Sequence, residues 1–205
     1  MHRSTENRNI ALFGGAFDPP HVGHALAIRQ ILDTNLFDQV WVAPTSIRPD
    51  KVSSADDADR KEMLRLLIKD LFQDEPVVLA SHLIDHPGEL RTTIDELRYL
   101  KQRHPKHVFS VAIGRDQAEA LPHWNAFDEL RLEAQFLILV RDGAPVTIPA
   151  GINATILDPS SVAWMNLSST EIRNRLLSES FIEGMVPHVV ERYITARQLY
   201  RKEKQ

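Results

Sequence analysis

Cysteine is absent from the 205 residues. Disulfide frameworks, zinc ribbons and thiol catalysis are thereby excluded, and a reducing compartment is permitted. Glycine is sparse, at 8 residues, and there is no internal repeat or low-complexity tract, so collagen-like, fibrous and disordered classes fall away. No apolar run approaches the length of a membrane span, which argues against a membrane partner. Met1 to Asn9 is polar and lacks the apolar core of a signal peptide; the expected location is the cytoplasm. Positive charge is not in excess either. Lys and Arg number 24 against 28 Asp and Glu, a net charge of −4. That disfavours a protein whose main task is gripping a nucleic-acid backbone, while leaving room for a local site that binds a small phosphate ligand.

What is present is an ordinary globular composition, 43% hydrophobic and 25% charged, long enough to bury a core without covalent staples. Short apolar runs, Ile10–Phe13, Val40–Ala43, Val77–Ala80, Val108–Ile113 and Phe136–Val140, read as strands buried on both faces. Between them lie helical spacings. Ala25, Ile28, Ile31 and Leu32 form one such face; Met63, Leu64, Leu67, Ile68, Leu71 and Phe72 form a second; Ile94, Leu97 and Leu100 form a third. Strands alternating with helices predict an α/β fold with a Rossmann-like parallel sheet and helices on both faces. Residues 144–167 are rich in Pro, Gly and Ser, with a weak strand at Ala154–Leu157. Helices near 169–178 and 187–200 follow, the second with Pro187 in its first turn. The expectation is one domain over 1–205, with a core at about 9–143 and a helical C-terminal cap at about 154–200.

In such a sheet, ligands sit beyond the C-terminal strand ends, so the residues after each strand matter most. After the first strand stands GGAFDPPHVGH, residues 14–24. Gly14 and Gly15 allow a sharp turn and close approach of the backbone to a ligand. His21 and His24, three apart, share one face of a helix's first turn, at an end that attracts anions through its N–H groups and dipole. Together they suggest a polyphosphate site. The same residues also admit a tight strand-helix turn with incidental histidines, or a metal site of His21, His24 and Asp18. Ser168 and Glu171 have the spacing of a capping box, and that helix start can also hold phosphate beside the fixed charge of Arg173. Taken singly, Trp124 reads as a core aromatic, Asp116 as a helix cap, and Lys51 and Arg60 as solvated surface charges.

Gly14 to His24 resembles the GxFDPxHxGH signature of the nucleotidyltransferase superfamily, in the form nearest to bacterial-type nicotinate mononucleotide adenylyltransferases. The resemblance runs on through Pro44–Lys51, Arg60 with Met63-Leu64, Gly114-Arg115-Asp116, Leu121-Pro122-His123-Trp124, Arg141 and Leu167–Arg173. It implies a Rossmann-like fold and transfer of adenylate from ATP to nicotinate mononucleotide, giving deamido-NAD and pyrophosphate in NAD biosynthesis. It further implies His21, His24 and Arg173 as catalytic residues. ATP would be held by Gly14, Gly15, Phe17, His21, His24, Gly114, Asp116, Arg141, Ser168, Ser169, Thr170 and Arg173. The pyridine mononucleotide would be held by Lys51, Arg60, Thr93 and Trp124, the tryptophan stacked on its ring. Mg²⁺ would bind mainly through ATP phosphates, and no dedicated protein metal site is expected. A homo-oligomer is compatible with this reading.

The sequence departs from the family pattern at Asp50-Lys51, at Arg91-Thr92-Thr93-Ile94-Asp95-Glu96-Leu97 and at Arg115. All three bear on the acceptor. The alternatives are therefore nicotinamide mononucleotide or another phosphorylated small molecule as acceptor. A non-catalytic nucleotide sensor, or a metal-dependent hydrolase, would be a different class altogether.

Overall fold

The sheet forms from the apolar runs. A computed structural model describes residues 7–45, 55–86, 88–140, 146–157 and 167–201; Lys51 and Arg141 lie outside the described residues. Six strands, β1 (Asn9–Gly15), β2 (Gln39–Pro44), β3 (Val77–Leu79), β4 (Val108–Gly114), β5 (Gln135–Leu139) and β6 (Asn153–Leu157), lie in the order β3-β2-β1-β4-β5-β6. Every pairing is parallel, so each connection must cross over a face of the sheet. The helices in those connections are α1 (Val22–Asp33), α2 (Asp57–Leu71), α3 (His82–Asp85), α4 (Thr93–Arg103), α5 (Arg115–Ala120) and α6 (Phe127–Glu133). Two more, α7 (Ser169–Leu177) and α8 (His188–Arg197), follow the last strand.

Alternation along the strands divides the core in two. Ala11, Phe13, Val40, Val42, Leu137 and Leu139 face one side, where α1, α2, α7 and α8 supply Ile28, Leu64, Ile172 and Val190. Ile10, Leu12, Trp41, Val111, Ile113 and Ile138 face the other, against Ile94, Leu97 and Leu100 of α4 and Leu130 of α6. Helices thus cover both faces, and the central strands must be apolar on both. The edge strands are the exception to the expectation: Val78 and Ile156 are partly exposed, because an edge strand is only half covered. The weak strand at 154–157 is a full member of the sheet, paired from Gln135 to Leu139. Pro187 sits one position before α8 as its cap residue, not within its first turn. No helix among the described residues is long and apolar enough to cross a membrane.

From β1 the chain runs outward to β2 and β3, and from β4 it runs the opposite way. A crevice therefore opens beyond the C-termini of β1 and β4, where the winding reverses. That crevice positions the site.

Candidate active site

A cavity of about 890 Å³ fills the crevice, near the upper end of the range of small-molecule sites, about 300–1,000 Å³. Its walls include Gly14, Gly15, Gly23 and His24 from the first strand-helix turn, Thr93 and Glu96 from α4, Gly114, Arg115, Asp116 and Gln117 after β4, and Trp124. Of the residues singled out in the sequence, Gly14, Gly15, His24, Thr93, Gly114, Asp116 and Trp124 are brought to one surface.

The turn after β1 is built from its own side chains. Phe17 has a left-handed backbone, φ 49°, which turns its ring under the loop, where it is buried. The ring meets His24 edge-on at 4.7 Å between centroids. Gly15 has no side chain to spare: a Cβ there would lie 3.1 Å from the Phe17 ring. His21 caps α1. Its backbone N–H donates to His24 Nδ1 at 3.1 Å, and the two imidazoles stack 3.7 Å apart. With Nδ1 accepting, the proton of a neutral His24 sits on Nε2, so that edge is a donor. His24 is on the cavity wall; His21, 2% exposed, stands behind it.

The loop is held from four sides. Arg60 Nη1 donates to the Ala16 carbonyl at 2.5 Å, and Arg60 also pairs with Asp57. Arg173 Nη1 donates to the Asp18 carbonyl at 2.6 Å and lies 3.6 Å from its carboxylate. Ser169 Oγ donates to the Pro19 carbonyl at 2.9 Å. The Asp18 carboxylate, fully buried, accepts from the Ala55 N–H at 3.0 Å and the Tyr200 hydroxyl at 2.7 Å. Burial, with the Asp18 charge beside it, pushes the Tyr200 phenol far above its ordinary value.

One expectation changes in consequence. Arg60 is no solvated surface charge: it is wholly buried beneath the loop, off the cavity wall, because the loop's curled backbone leaves the Ala16 carbonyl needing a donor. Ser168 caps α7, accepting from the Glu171 N–H at 3.2 Å; Ser169 and Arg173 brace the loop, and Thr170 accepts from Arg173 at 3.2 Å. This group stands beside the loop, not on the cavity wall.

Opposite the histidines, Trp124 follows a single 3₁₀ turn, Leu121–His123, and is half-buried in the second core. Thr93 opens α4, whose start is fixed by a reciprocal cap between Thr92 and Asp95. Sequence reasoning gave no role to Glu96, Gln117 or Leu83, all on the wall. The departure from the family pattern at Glu96 was the only signal available for any of them.

Comparison with known proteins places this arrangement. The cytidylyltransferase-like family model matches residues 12–175. The chain is 34% identical over 193 residues to a probable nicotinate-nucleotide adenylyltransferase of Exiguobacterium sibiricum, covering 93% of this chain and 98% of that one. It is 34% identical to the nicotinate-nucleotide adenylyltransferase of Bacillus subtilis over 196 residues, covering 94% and 98%. In structure it is similar to a Plasmodium falciparum nicotinic acid mononucleotide adenylyltransferase complexed with NaAD, with a TM-score of 0.80, 24% identity and coverage of 94% and 97%. That last likeness establishes the shared Rossmann-like fold.

Proposed function

The chain belongs to the cytidylyltransferase-like family, among the nicotinate-nucleotide adenylyltransferases, and from that premise we propose that it transfers adenylate from ATP to nicotinate mononucleotide. The products are deamido-NAD and pyrophosphate, and the reaction belongs to NAD biosynthesis in the cytoplasm. One observation carries the reading: a single cavity joins a glycine and histidine wall suited to phosphates with a tryptophan and threonine wall suited to a flat polar ring.

A phosphate oxygen of the acceptor attacks the α-phosphorus of ATP in line. A new P–O bond forms as the bond to the bridging oxygen breaks, and the electron pair leaves with pyrophosphate. Such chemistry requires positioning and charge stabilisation more than a covalent nucleophile. The Nε2–H edge of His24 donates to phosphate oxygens as charge builds on them. His21 orients that ring by stacking and through its backbone N–H. The N-terminus of α1, with Gly14 and Gly15 beside it, adds a favourable dipole for anions. Arg173 and the hydroxyls of Ser168, Ser169 and Thr170, gathered at the start of α7 beside the loop, serve the β- and γ-phosphates. Gly114 and Asp116 bind the adenosine part, with Phe17 beneath the loop, and Arg141 serves ATP as the family resemblance implies. Thr93, Trp124 and Lys51 serve the acceptor; Arg60 acts on it indirectly, by holding the loop.

Mg²⁺ accompanies ATP. Among the described residues no three His, Asp or Glu side chains gather as a cation cage, and a small hard cation that keeps its waters suits binding through phosphate oxygens. When bound, it neutralises phosphate charge. The test is pyrophosphate release from ATP and Mg²⁺ with each pyridine mononucleotide in turn, the dinucleotide product being identified by mass. Release with nicotinate mononucleotide supports the reading, and ATP binding without release from any acceptor would replace it with a nucleotide sensor.

A further inference from the structure

Phe181 is 87% exposed, the most exposed large apolar side chain among the described residues. Its backbone is tied down on both sides. At the end of α7 the Ser180 N–H donates to the Arg175 carbonyl at 2.8 Å, and the Ser178 hydroxyl donates to the Asn174 carbonyl at 2.6 Å. Glu179 turns the chain there through a left-handed conformation, φ 53°. After Phe181 comes Ile182, 4% exposed and anchored in the first core, whose carbonyl accepts from the Met185 N–H at 3.0 Å. With both neighbours fixed, the Phe181 ring is held out to solvent. An isolated apolar residue on a surface needs no explanation, but this one stands at the edge of a groove.

The groove, about 660 Å³, lies between α7 and α8 and shares no residue with the active-site cavity. Its floor is apolar: Leu176, Leu177, Ile182, Ile194 and Leu199 are buried or half-buried. Its rim is polar and carries Glu179 and Arg201, both exposed. These two have opposite charges, yet among the described residues neither joins an ion pair, with the other or with any third group. The remaining rim charge, Glu191, lies 3.6 Å from His188 of its own helix.

We propose that this face is the contact between two copies of the chain, related by a two-fold axis. Phe181 of each copy fills the groove of the other, and Glu179 of each meets Arg201 of the other. A two-fold contact uses one patch twice, so whatever the patch offers must find its complement on that same patch. Here the knob and the hole, the acid and the base, all lie on one surface; an unrelated partner would need only half of them. An aromatic anchor in an apolar pocket with a polar rim is the anatomy of a specific interface. The crosswise charge pairs fix its register.

Sedimentation equilibrium on the full chain tests the proposal. The wild type is a reversible dimer at concentrations up to about 100 µM. Phe181→Ser weakens that dimer about a hundredfold or more, because each dimer loses two buried rings. Glu179→Arg sets arginine against arginine across the contact, and Arg201→Glu sets glutamate against glutamate. Like charges face to face oppose association, so each of these variants alone is monomeric. Mixed in equal amounts, the two regain the crosswise pairing and associate into a mixed dimer. Circular dichroism confirms that every variant is folded, as expected for changes at exposed positions. A wild type that stays monomeric over that range overturns the proposal and leaves the groove to an unrelated partner. A dimer undisturbed by Phe181→Ser, or charge variants that fail to associate on mixing, overturns this face as the contact.

Discussion

A methyl group on Gly23 would stand 3.0 Å from the His21 ring. That glycine lies within α1, where alanine is favoured over glycine by about 1 kcal/mol. Gly23→Ala should therefore leave stability unchanged or slightly raised while displacing the stacked imidazoles by a few tenths of an ångström. The expected result is a thermal midpoint at or above the wild type with turnover down about tenfold or more, since catalytic geometry tolerates little displacement. Wild-type turnover would show that the His21–His24 stack has slack to spare.

His24→Ala should lower turnover by about a hundredfold or more, the scale of losing one transition-state donor, with the fold intact. His21→Ala should approach that loss through the ring it supports. Single-turnover rates check both, and near-wild-type rates in both variants would remove the histidines from the chemistry.

Arg60→Met keeps an apolar stem at this position but removes the donor to Ala16 and the partner of Asp57. Breaking a buried charged contact costs on the order of 3 kcal/mol. Denaturant unfolding should show that loss together with reduced turnover, because the loop carrying His21 loosens. If only the KM for the acceptor rises, with stability unaffected, Arg60 contacts substrate directly.

Asp95 caps α4, accepting from the Thr92 and Arg91 N–H groups and the Thr92 hydroxyl. Partial burial acts to raise its carboxyl, but these hydrogen bonds prevail and hold it below its ordinary 3.8. A depressed native value means that the ionised form stabilises the fold above the ordinary value and loses this effect as pH falls through the lowered one. Asp95→Ala should cost about 1 kcal/mol at neutral pH. The gap to the wild type should close as acid protonates Asp95, which paired unfolding curves at neutral and strongly acidic pH would reveal.

Much of this fold was legible because its signals are local. The runs at 10–13 and 40–43, buried on both faces, and the helical spacing at 63–67 each read directly as elements, and the motif at 14–24 marked the crevice. The short α5 and α6 left no trace, since six or seven residues cannot display a helical period. Arg60 looked like any surface arginine, for nothing near it in sequence indicates that Ala16 needs its donor. Glu96 was visible only as an odd residue; its burial, with His82 of α3 3.7 Å away, has no signature in the residues beside it.

The hydroxyl of Tyr200 reaches Asp18 across 182 positions, and Arg173 reaches it across 155. During synthesis the turn at 14–24 is made long before these partners of its Asp18 carboxylate and carbonyl. Contacts of such separation form late and slowly. A ribosome-bound chain not yet extended through α8 should thus hold a sheet but no competent turnover, and activity should appear only once Tyr200 has cleared the exit tunnel.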